Sequence, residues 1–105
     1  MPTFDGNEGT FITLSEGAGM TSAYREANPD AIKGLFFGKN KLLDLLNQTG
    51  CVGIRIYFAI DDETKEAGLV LVGAKENTND ITSGYIIDHG ISCPPVCGAD
   101  NDLNS

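Results

Sequence analysis

The sequence predicts an α+β domain in which N-terminal helices pack on a small antiparallel sheet built around a β-hairpin. Two apolar runs, Cys51 to Ile60 and Gly68 to Lys75, are joined by the polar turn Asp61-Asp62-Glu63-Thr64-Lys65-Glu66, the pattern of a hairpin. Apolar residues at helical spacing fill the region upstream, between residues 15 and 49. Helices followed by strands, with no alternation of the two, argue for α+β over a parallel α/β sheet. A chain of 105 residues is expected to form one domain over 1–105. It is long enough to bury a core without metal or disulfides. The polar ends, 1–9 and 98–105, are expected to be mobile.

Taken in order, Phe11-Ile12-Thr13-Leu14 is short and β-branched, an edge strand or a lead-in. Ser15 suits an N-cap with Glu16 in the first turn, and Met20, Ala23, Tyr24 and Ala27 continue a helix. Asn28-Pro29-Asp30 stops it and offers a cap and a first-turn proline for a short second helix ending at Gly34. Asn40 can cap a third, striped by Leu42, Leu43, Leu45 and Leu46, with Gly50 placed for a left-handed turn. In the first hairpin strand one face reads Val52, Ile54, Ile56, Phe58, Ile60; the other reads Cys51, Gly53, Arg55, Tyr57, Ala59. Leu69-Val70-Leu71-Val72 is apolar on both faces, which predicts a central strand covered on both sides. Glu76 to Asp80 reads as a turn, and Tyr85-Ile86-Ile87 as a further strand ended by Asp88-His89-Gly90. The expected core is the Val52 to Ile60 face with Leu42, Leu45, Leu46, Leu69 and Leu71.

The string Asn47-Gln48-Thr49-Gly50-Cys51-Val52-Gly53-Ile54-Arg55-Ile56-Tyr57, the block Leu69 to Gly73 and the segment Cys93-Pro94-Pro95-Val96-Cys97 together resemble a family of small bacterial proteins of unassigned function. The likeness spans roughly residues 40–97, with a fainter echo in Ile12-Thr13-Leu14 and Tyr24-Arg25. It implies one intact small domain and supplies no catalytic residue.

Charge narrows the classes of partner. Fifteen acidic against seven basic residues leave a net charge of −8, which opposes nucleic acid and anionic membrane. No basic segment leads into an apolar run at the N-terminus, and no run approaches the ~18 apolar residues of a membrane span. A cytoplasmic protein is expected.

Four groups could carry chemistry. Cys51, Cys93 and Cys97, with His89 four residues before Cys93, could supply zinc ligands, and Cys93 and Cys97 could form a disulfide or redox pair. Three reduced thiols are the expected state, since an extended Cys-Pro-Pro path holds the sulfurs apart and the count is odd. Lys39 and Lys41, with Lys33 nearby, place positive charge at a helix start, where an anion would relieve it. Gly34 to Lys39 is not a P-loop: one residue is missing between the glycines, and Asn40 stands where Ser or Thr is needed. Arg55 beside Tyr57 on the mixed strand face could bind a carboxylate, although a local acid is the commoner partner. Phe37, after Phe36, could anchor a partner or fill core. No Ser/His/Asp arrangement stands out.

These residues suggest a small binding or interaction domain without catalysis, contacting an unspecified protein through Phe37, Lys39, Lys41, Arg55 and Tyr57. Self-association is compatible with any edge strand left open. No cofactor is expected on this reading. The alternative is a zinc-binding or thiol-redox protein using Cys51, His89, Cys93 and Cys97.

Overall fold

The structure, a computed structural model, describes residues 2–105. It is α+β, with two helices and two small antiparallel sheets. Contacts divide it into two compact units: the N-terminal segment through Glu8 with Phe37–Gly90, and Gly9–Phe36 with Ile91–Ser105.

The second unit holds helix α1 (Leu14–Ala27) and the strands β1 (Gly34–Phe36) and β5 (Ile91–Cys93). α1 starts earlier than Ser15 suggests. Thr13 is the N-cap, its hydroxyl accepting from the Glu16 N–H at 3.1 Å while the Glu16 carboxylate accepts from the Thr13 N–H at 3.4 Å. This reciprocal box satisfies two helix-end donors, which Ser15 could not do with Ala18 at the matching position. Phe11 to Thr13 is therefore a lead-in and forms no strand. The Asn28 N–H closes the helix on the Tyr24 carbonyl. The short helix expected after Pro29 is absent: Ala31 bonds back to Asn28 in a turn, and Gly34–Phe36 instead pairs antiparallel with Ile91–Cys93. The few residues between Pro29 and Gly34 leave too little chain for a helix to gain from cooperativity. The C-terminal tail, expected to be mobile, is held where Arg25 donates to the Leu103 carbonyl and Lys33 to the Asn104 carbonyl, each at 2.7 Å.

The first unit contains helix α2 (Lys39–Leu46) and a sheet of β2 (Cys51–Ile60), β3 (Ala67–Lys75) and β4 (Ile86–Ile87), in the order β2-β3-β4. The hairpin and its central second strand are as the sequence predicts. β3 buries Leu71, Val72, Gly73 and Ala74 in succession, so both of its faces are covered. Gly38, in extended geometry, caps α2 in place of Asn40. α2 packs on β2 and β3, and its Leu45 is fully buried. Ile81, in the loop before β4, completes the core and ties its N–H to the Gly73 carbonyl at 2.8 Å.

The expected core needs correction. Ile56, Phe58, Ile60 and Leu46 are exposed. Eight helical residues span about 12 Å, against about 33 Å for the ten residues of β2. The helix is too short to cover the whole strand.

Candidate functional site

Among the described residues β2 pairs with β3 alone, so its other edge is open there. The phase of the ladder follows from the turn, where the Asp61 N–H donates to the Glu66 carbonyl at 2.9 Å. Antiparallel pairs alternate between bonded and non-bonded. Ala59, Tyr57 and Arg55 therefore bond to β3, while Ile60, Phe58, Ile56 and Ile54 aim their N–H and C=O groups outward. The far side of β3 agrees: the Gly73 carbonyl and the Lys75 N–H are engaged there, by Ile81 and Asn79. The outward residues are also the apolar ones. Ile56 is 52% exposed, Phe58 94% and Ile60 71%. No proline or lysine interrupts β2, and its one irregularity is a bulge between Cys51 and Gly53.

That bulge moves Cys51 off the face it was expected to share with Arg55. A Cβ built on Gly73, which opposes Ile54, would meet the Cys51 Sγ at 3.0 Å and Gln48 Nε2 at 2.9 Å. The thiol thus lies on the α2 side, where it donates to the Gly53 carbonyl at 3.2 Å.

On the opposite face Arg55 and Tyr57 converge on Asp80. Arg55 Nη1 donates to Asp80 Oδ1 at 2.5 Å and to the Thr78 carbonyl at 2.9 Å. The Tyr57 hydroxyl donates to Asp80 Oδ2. The guanidinium also lies over the Phe4 ring, 5.2 Å from its centroid. These bonds lower the Asp80 pKa, the Tyr57 bond foremost and Arg55 after it. The same contact with Asp80 raises the pKa of Tyr57 and of Arg55. Arg55 and Tyr57 are brought together as the sequence suggests, but their polar groups are already engaged within the chain. Asp80 itself escaped notice in the sequence. The loop after β3 returns it opposite Ala74, on the face of Arg55, a placement that the local pattern does not encode.

Beside this cluster lies a cleft of about 390 Å³. Phe4, Gly6 and Glu8 line one side, and the Val52–Ile56 stretch of β2 the other. The N-terminal arm is fixed by its own bonds. The Phe4 N–H reaches the Glu76 carbonyl, and the Glu8 carboxylate accepts from the Asp5 and Gly6 N–H groups. None of these bonds uses the open edge of β2.

Phe37 is half-buried, with its ring against Gly90: a Cβ there would fall 2.6 Å from Cζ. It is a packing residue, not a protruding anchor. Lys39 and Lys41 are exposed in the first turn of α2, which carries no acidic residue. His89, at φ 58°, is exposed beside Asp88, with 3.5 Å between Nε2 and Oδ1.

The four proposed zinc ligands do not form a set. Cys93 and Cys97 are joined in a disulfide with their Cα atoms 4.8 Å apart, so the expectation of three reduced thiols is also corrected. The chain does not run extended here: the Val96 N–H donates to the Ser92 carbonyl at 3.0 Å, closing a turn that returns Cys97 to Cys93. The Cys93–Pro94 and Pro94–Pro95 peptide bonds are cis. Cys51 is the remaining thiol, and no three His, Cys, Asp or Glu side chains converge among the described residues. No helix among the described residues is long and apolar enough to cross a membrane. No family model, curated protein or solved structure matches the chain.

Proposed function

We propose that this protein is a non-catalytic interaction module that takes up an extended segment of a partner protein by strand addition to β2. One observation carries the reading. The backbone groups left open at the edge belong to Ile54, Ile56, Phe58 and Ile60, and the side chains of the last three are exposed. Soluble proteins ordinarily blunt such an edge with charge, proline or a covering element. An added strand would satisfy the backbone and cover the side chains together, which is how strand addition combines affinity with side-chain selection. The contact surface thus shifts from Phe37, Lys39 and Lys41 to β2, with Arg55 and Tyr57 holding its other face in place.

The test is selection of random short peptides on the intact protein, against a Phe58→Pro control. The Phe58 N–H points outward, so proline there removes no bond to β3 but blocks an incoming strand. Wild-type protein should enrich peptides that slow amide exchange at Ile54, Ile56, Phe58 and Ile60, and Phe58→Pro should enrich none. Equal enrichment by a folded Phe58→Pro variant would refute strand addition.

A thiol-redox role is the second reading, favoured by the Cys93–Cys97 bridge and its surface position. Equilibration with graded glutathione buffers tests it. A bridge that stays closed at cytosolic poise behaves as structural, not exchanging. A cytoplasmic location belongs with an opened bridge, and an oxidising compartment with a closed one.

A further inference from the structure

Strand addition leaves open which strand is added, and the charge around β2 bears on that choice. The apolar edge is bracketed by carboxylates. At the Val52–Ile56 end, Glu8 lines the cleft. At the other end the turn carries Asp62, Glu63 and Glu66, all exposed, against Lys65 alone. Along β2 the single charge is Arg55, which Asp80 neutralises. An incoming strand therefore meets apolar side chains in the middle and more carboxylates than cations at both ends, Glu8 and Glu76 against Lys75 at one and the turn acids against Lys65 at the other.

A second copy of the chain fits this poorly. Antiparallel pairing of β2 with itself about a two-fold axis sets the Asp61–Glu66 turn of each copy against the Cys51–Ile54 end of the other. That end holds Glu8, so carboxylates face carboxylates, between two chains of net charge −8 each. The N-terminal arm through Glu8 also flanks the same end of the edge and limits how long a strand can lie there.

We infer that the strand β2 accepts is a short extended peptide segment, apolar at alternate positions across Ile54–Ile60 and carrying Lys or Arg at both ends. The inference rests on the strand-addition reading and names its partner chemistry. The span from Ile54 to Ile60 is about 20 Å, so the segment has about seven residues between its basic flanks. Backbone bonding to the edge gives affinity without regard to charge; the flanking cations choose the partner and speed its encounter.

Three fluorescent peptides test this against the intact, oxidised protein. All share a Val-Thr-Val-Thr-Val-Thr-Val centre and are flanked by lysines, serines or glutamates. By anisotropy at low salt, the lysine-flanked peptide should bind about tenfold more tightly than the serine-flanked one, and the glutamate-flanked peptide most weakly. The difference should shrink as salt rises, because the flanking charges are exposed. In the variant E8Q/D62N/E63Q the three affinities should fall to within about twofold of one another. The amide introduced by E8Q retains an oxygen that can hold the arm, and circular dichroism checks the fold.

Equal binding of all three peptides to wild type, with exchange slowed at Ile56 and Phe58, would overturn the basic-partner inference and leave strand addition standing. Failure of every peptide, with a dimer in sedimentation that Phe58→Pro dissociates, would identify a second copy as the occupant and overturn it too. Failure of every peptide on a monomer would remove both readings.

Discussion

Asp80 accepts from the side chains of Arg55 and Tyr57, and this ties stability to pH. Its folded pKa lies below the usual carboxylate value of 3.8, so the unfolded chain takes up the proton more readily. The contribution is complete above that value and is lost as pH falls through the folded pKa. Asp61 acts in the same direction, held low by the N–H groups of Thr64 and Glu63. Thermal melts should therefore change little between pH 7 and 5 and drop below about pH 4, with a shallower drop in Asp80→Asn. An identical acid profile in that variant would show the cluster to be energetically idle. Tyr57 supplies the alkaline counterpart. Its pKa is raised, so its share is present below the usual value of 10.0 and disappears as pH rises through the folded one.

Glycines divide by what surrounds them. A methyl on Gly73 would meet Gln48, the Cys51 sulfur and Ile81, all at 2.9 to 3.2 Å. Gln48 cannot swing away freely, because it also binds the Leu45 carbonyl and the Tyr85 N–H. Gly73→Ala should cost about 1–3 kcal/mol by urea denaturation. Gly19, within α1, has nothing within 4 Å of a built Cβ. There alanine should stabilise by up to about 1 kcal/mol through helix propensity alone. Matching effects at the two positions would contradict this packing.

At the scale of elements, β2 carries two ladders of opposite fate. Amides of Arg55, Tyr57 and Ala59 face β3, whereas those of Ile54, Ile56, Phe58 and Ile60 face solvent. Hydrogen exchange should alternate residue by residue along the strand, slow then fast, with no gradient toward the turn. Uniform protection would mean that the edge is already paired. This alternation bears on what the sequence could reveal. Period-2 patterning identified both strands, their turn and the central place of β3, because a strand buried on two faces must be apolar on both. The same patterning overstated the core. An apolar face says that Phe58 and Ile60 avoid water when something covers them, but not whether α2 is long enough to reach them. Caps were legible in kind but not in position: Thr13 and Ser15 are both competent, and the Glu16 partner three residues on decides for Thr13. The Arg55–Tyr57 pair was visible as spacing. Asp80 was not, because its partnership spans more than twenty residues and depends on where the loop returns.

For the molecule as a whole, the two units rest on different supports. The Phe37–Gly90 unit has Leu45, Leu71, Val72, Ala74 and Ile81 as a packed centre, and its one thiol, Cys51, is free. The other unit buries no α1 residue and joins β1 to β5 over three residue pairs, with the Cys93–Cys97 bridge at the ladder's end. Closing so short a loop in the unfolded chain is worth about 2 kcal/mol by chain entropy, a large share for a unit with little core. Unreduced, denatured protein should therefore show one titratable thiol per chain, and reduced protein three. Reduction should speed exchange at the amides that bond Gly34–Phe36 to Ile91–Cys93 and leave Leu71 to Ala74 as slow as before. If the β3 amides loosened equally, the bridge would be supporting the hairpin sheet as well. If three thiols appeared without reductant, in protein isolated from its native cell under alkylating conditions, the working state would be the open dithiol. The β1–β5 ladder would then have to hold on its strand bonds alone.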